Sequence, residues 1–62
     1  MIEVTRINGT KLTVNAEMLE FIEETPDTVL TMSTGTKLIV AESSDEIREM
    51  VIAYKRKIFS SN

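Results

Sequence analysis

The feature that most constrains the fold is a strand-turn-strand pattern that occurs twice. Residues 4–14 align without gaps to residues 30–40, and both segments read Gly-Thr-Lys-Leu at the same place, beginning at Gly9 and Gly35. Short apolar stretches on either side of a glycine-containing turn are typical of β-hairpins. The chain is therefore predicted to contain two hairpins of the same design.

The order of apolar residues predicts the length of the first turn. A two-residue turn would place the apolar side chains of the two strands on opposite faces, because a shift of one residue turns every side chain over. A three-residue loop that ends at Gly9, in a left-handed conformation, instead aligns Val4 with Leu12. The same loop aligns Ile2 with Val14, so this hairpin gains one apolar face.

The second hairpin follows the same rule with a different result. A three-residue loop that ends at Gly35 places Leu30 opposite Leu38. It also places Val29 opposite Ile39, on the other face of the strands. The second hairpin is therefore predicted to be apolar on both faces.

The segment between the hairpins, Ala16 to Glu24, has two interpretations. Asn15 could cap a short helix, since the residues that follow it are good helix formers. Against this, residues 19–23 alternate as a strand does, and Pro26 marks a turn toward the next strand. We favour a strand preceded by a turn at residues 15–17.

A C-terminal amphipathic helix is the strongest local prediction. Ser43 and Glu46 have the spacing of a capping box, which marks a helix start. The residues that follow place apolar side chains on one stripe, namely Ile47, Met50, Val51, Tyr54 and Ile58. We expect one domain over residues 1–59 and a frayed tail at residues 60–62.

Composition excludes several classes of function. The 62 residues include no cysteine and no histidine, so we expect no transition-metal site, no cofactor and no catalytic triad. The N-terminus lacks the basic and apolar regions of a signal peptide, and no apolar run approaches the length of a membrane span. We expect a cytoplasmic protein that is not an enzyme. Its net charge of −3 disfavours nucleic-acid binding.

The predicted fold class is α+β: a five-stranded antiparallel meander with the helix packed on one sheet face. A domain of this size has a thin core, and one helix covers one face only. The second apolar face needs cover, from strong curling of the sheet or from a second subunit. For self-association we single out Ile22, Met32 and Ile39, and for binding a partner Arg48, Lys55 and Arg56.

Five segments, in one order and at one spacing, resemble a known family. They are residues 1–9, residues 15–17, residues 22–29 with the sequence Ile-Glu-Glu-Thr-Pro-Asp-Thr-Val, residues 34–37 and residues 54–58. Together they resemble the FlbD-like family of small flagellar proteins, also called SwrD. The resemblance implies a cytoplasmic accessory of flagellar motility that supports motor and stator torque during swarming, with no catalytic residues or cofactors.

A second resemblance gives an alternative function. The length, the five strands and the opening through Arg6 are similar to the carbon storage regulator family of dimeric RNA-binding translational repressors. That family has a second arginine where Ile7 stands here, and basic residues where residues 42–45 include Glu42 and Asp45. Carboxylates at this place repel phosphate, which disfavours the alternative.

Overall fold

The computed structural model describes residues 1–60 and has five antiparallel strands and one long helix. The predicted fold class is confirmed. In chain order the elements are β1 (Ile2–Thr5), β2 (Lys11–Val14), a 3₁₀ turn (Ala16–Met18), β3 (Leu19–Glu23), β4 (Thr28–Met32), β5 (Lys37–Val40) and α1 (Ser44–Ser60). Ser60, the first residue of the predicted tail, is the last residue of the helix, and residues 61–62 lie outside the described part of the chain.

Both hairpins have the predicted register. In the first, Ile2 pairs with Val14 and Val4 with Leu12. The loop is closed by the Arg6 amide, which donates to the Thr10 carbonyl at 2.8 Å. These pairs confirm the three-residue loop, because only that loop length places the four apolar side chains on one face.

The second hairpin repeats this geometry. Val29 pairs with Ile39 and Leu30 with Leu38, and the Met32 amide donates to the Thr36 carbonyl at 2.8 Å. Its two faces are therefore both partly apolar, as predicted.

The linking segment contains a short 3₁₀ turn followed by a strand, so each interpretation holds for one part of it. Asn15 caps the 3₁₀ turn by accepting a hydrogen bond from the Glu17 amide at 3.0 Å, and β3 follows directly. The favoured strand is confirmed, but its register is irregular between Leu19 and Phe21. This bulge lets Leu19 and Ile22, three residues apart, both pack against the core.

The five strands form two sheets and not one continuous meander. β1 pairs with β2, and β3, β4 and β5 form a three-stranded sheet. The sheets meet where β1 lies beside β5: Arg6 and Val40 form an antiparallel bridge, and the Ala41 amide donates to the Thr5 carbonyl at 2.7 Å. The order across both sheets is therefore β2, β1, β5, β4, β3, which places strands from opposite ends of the β region side by side.

The helix begins at the predicted capping box. The Ser43 amide donates to Glu46 Oε1 at 2.8 Å, and the Glu46 amide donates to Ser43 Oγ at 3.1 Å. Glu24, in the turn after β3, adds a second contact by accepting hydrogen bonds from both the amide and the hydroxyl of Ser44. The helix start is thus attached to the three-stranded sheet.

One core is shared by both sheets and the helix. Its most deeply buried side chains come from all three units, namely Val4 from β1, Leu30 from β4, Val40 from β5 and Ile47 from α1. The predicted apolar side of α1 packs on this core through Met50, Val51 and Tyr54. The prediction of a buried apolar stripe is wrong for Ile58, which is 43% exposed and lines an open groove together with Met1.

Candidate interaction surfaces

The first candidate surface is the solvent-facing side of the three-stranded sheet. Side chains alternate along a strand, so each strand presents every second residue outward. The register then assigns six residues to what we call the outer face: Phe21, Glu23, Val29, Thr31, Lys37 and Ile39. Phe21 is 59% exposed and Ile39 is 46% exposed, so this face combines apolar and charged side chains.

The three residues predicted for self-association lie in different environments. Met32 is 8% exposed and belongs to the core, and Ile22 is partly buried against the same core. Ile39 alone of the three lies on the outer face. The structure therefore does not bring these three residues together on one surface. Self-association stays a prediction, and Ile39 is the one of the three that is exposed to a second subunit.

The second candidate surface lies on the helix. Arg48, Ile52 and Lys55 are spaced by four and three residues, so they form one exposed stripe on the helix. Arg48 donates to Asp45 Oδ1 at 2.8 Å. Arg56, the third residue predicted for partner binding, is exposed beside this stripe. We call Arg48, Ile52, Lys55 and Arg56 the helix stripe.

The third candidate surface is an open groove of about 710 Å³ between the start of β1 and the last turns of α1. Met1 and Ile58 are its exposed large apolar side chains, at 62% and 43%. Glu3 and Lys57 lie at the same groove. Sequence reasoning missed this surface because it assigned Ile58 to the buried stripe.

Sequence reasoning also missed Phe21 and the two charged residues of the outer face, Glu23 and Lys37. The signal was present in the parity of β3: Phe21 and Ile22 are neighbours, so one of them has to face outward. Only the bulge before Phe21 decides that Ile22 is the inner residue.

Within residues 1–60, no three His, Cys, Asp or Glu side chains are grouped so that they could hold a metal ion. The helices described between residues 1 and 60 are all too short or too polar to span a bilayer.

Comparison with known protein families gives a match over nearly the whole chain. A family model described as FlbD, flagellar and swarming motility proteins, matches residues 1–59. No curated protein and no solved structure matches the chain. The match therefore covers every element of the fold apart from the last residue of α1. It gives no support to the RNA-binding alternative.

Proposed function

Because this chain belongs to the FlbD family of flagellar and swarming motility proteins, we propose that it is a non-enzymatic accessory that raises motor torque by binding a stator or motor protein in the cytoplasm. Family membership carries the role in motility. The helix stripe supports the mode of action, because it offers a way to bind a protein partner without any catalytic group.

The helix stripe has the composition of a protein-binding surface. Arg48 and Lys55 flank Ile52, which is 37% exposed, so an aliphatic side chain lies between two cations. Arginine is enriched in protein interfaces and pairs well with carboxylates. The partner segment that fits this stripe is acidic and carries at least one apolar side chain.

The strength of the Asp45 contact does not prevent this role. The side chains of Arg48 and Asp45 are 61% and 85% exposed, and exposed ion pairs contribute about 0 to 1 kcal/mol. A carboxylate of a partner can therefore replace Asp45 at little cost to the fold.

The test is a motility assay in a flagellated bacterium that carries the gene. We expect deletion to reduce swarming and to lower the torque of tethered cells, with filament number unchanged. Normal torque with fewer filaments would assign the protein to assembly, and normal swarming would refute the proposal.

Residue-level variants sharpen the test. Complementation with Arg48→Gln/Lys55→Gln should fail to restore swarming, while recovery of the stator or motor protein by cross-linking is lost. The matched control is Lys57→Gln, which removes a charge from the same helix on the groove side. The control should restore swarming, and equal behaviour of the two variants would exclude the helix stripe.

A further inference from the structure

The outer face has its charges and its apolar residues at alternate corners. Glu23, Val29 and Ile39 form one row across the three strands, and Phe21, Thr31 and Lys37 form the next row. Glu23 and Lys37 therefore occupy one diagonal of the face, and Phe21 and Ile39 occupy the other. The corners are roughly 10 Å apart across the strands and roughly 7 Å apart along them, so the face is a short rectangle.

We infer that the outer face binds the outer face of a second copy of this chain in a two-fold symmetric dimer. A two-fold contact places the same patch on both subunits, so the patch has to complement itself. When two such faces meet about a two-fold axis that lies between them and crosses the midpoint of the charged diagonal at a right angle, Glu23 of each copy lies against Lys37 of the other. Phe21 and Ile39 then lie near their own symmetry mates.

The charge balance of this face favours a second copy as its occupant. The whole chain has a net charge of −3, so copies repel one another on average. Over the outer face the carboxylate of Glu23 and the ammonium of Lys37 cancel. Apposition of two copies here therefore adds no local repulsion and forms two ion pairs, each between Glu23 of one copy and Lys37 of the other.

The apolar area extends beyond the three strands. The Ile7 amide donates to the Ile39 carbonyl at 3.1 Å, and the Ile7 side chain is 61% exposed beside this face. A face of this width buries less than the roughly 1,200 Å² in total that marks a standard interface. The dimer is therefore weak and depends on protein concentration.

The experiment is sedimentation of the full chain over a wide range of concentrations. The wild type should pass from monomer to dimer as concentration rises. Glu23→Lys and Lys37→Glu should each weaken the dimer about tenfold or more, because each places like charges together at both ends of the interface. The double variant Glu23→Lys/Lys37→Glu should return the dissociation constant to within about threefold of the wild type.

Two charge reversals outside the outer face are the controls. Glu49→Lys lies on the solvent side of the helix, and Lys57→Glu lies at the groove. Both should leave dimerisation unchanged. Circular dichroism should show that all variants keep the wild-type melting temperature within a few degrees, since every changed residue is exposed.

Three results would overturn the inference. One is a wild-type chain that stays monomeric at every concentration. Another is a dimer that neither single reversal weakens or that the double variant does not restore. The third is a dimer that Lys57→Glu disrupts, which would assign the contact to the groove. The inference goes beyond the proposed function, and its outcome is independent of the motility assay.

Discussion

Gly9 and Gly35 hold the same backbone conformation in the two hairpin loops, with φ of 96° and 94°. Residues with a Cβ rarely adopt this region of φ. An added Cβ would meet no atom within 4 Å at either glycine. The requirement for glycine is therefore one of backbone conformation and not of space.

We predict that Gly35→Val lowers the free energy of unfolding by about 1–3 kcal/mol. The β-branched side chain resists positive φ, while nothing in the surroundings has to move. For a domain of this size the melting temperature should fall by roughly 5 °C or more, measured by circular dichroism. Gly35→Asn should cost less, because asparagine tolerates the left-handed region. An unchanged melting temperature for Gly35→Val would contradict the assigned loop.

Two carboxylates make the stability of the fold depend on pH. The hydroxyl and the amide of Ser44, with a smaller contribution from the charge of Arg48, hold the pKa of Glu24 below its ordinary value of 4.5. Burial acts to raise the pKa of Glu42, but the hydrogen bonds from Thr5 and from its own amide outweigh it, and the pKa is lowered. Each carboxylate therefore stabilises the fold more in its charged form than in its protonated form.

We predict that Glu24→Gln reduces the loss of stability in acid. The folded-state pKa of Glu24 lies below the unfolded value, so its contribution is present above about pH 4.5 and is lost as pH falls through the folded pKa. Glutamine keeps an acceptor oxygen but does not titrate. Urea melts at neutral pH and in acid should show a smaller difference for this variant than for the wild type. Glu49→Gln, on the outer helix side, is the matched control, and an equal change in both variants would refute the assignment.

Among the elements, α1 depends on a few contacts along one side. Its start is held by the capping box and by Glu24, and Ile47, one turn later, is fully buried. Ile52, in the same helix, is 37% exposed. These two isoleucines therefore differ in burial within one secondary-structure element.

We predict that Ile47→Ala removes most of the stability of the domain. Truncation of a fully buried isoleucine costs about 2–5 kcal/mol, and a domain of this size has about 3–5 kcal/mol in total. Ile52→Ala should change the free energy of unfolding by less than about 1 kcal/mol, since alanine is a strong helix former and the site is partly exposed. Thermal melts of the two variants test this, and equal losses would show that the helix packs on another side.

The elements were largely predictable because their signals are local. The two glycines determine the loop length, and Ser43 with Glu46 determines the helix start; each acts over four residues or fewer in the sequence. The bulge before Phe21 was not predictable in this way. Both alternations of β3 place some apolar residues outward, and the choice depends on which side chains fill the core with α1 in place.

At the scale of the whole molecule, the contact between β1 and β5 is what the sequence did not reveal. Arg6 and Val40 are paired although three strands, β2 to β4, lie between β1 and β5 in the sequence. Periodicity reports which residues face a core but not which strands are neighbours. The outer face could be predicted only in part for the same reason: the register of β4 and β5 followed from Gly35, but the exposure of Phe21 did not.

The junction of β1 with β5 also affects how the protein can be made. The ribosome synthesises the N-terminal hairpin first. The second neighbour of β1, strand β5, is complete only when Val40 has been added. Ile47, which is fully buried in the core, is added later still. Until then the early strands have little to bury against. The fold is thus expected to be completed only after residues 1–47 have left the ribosome, and not segment by segment.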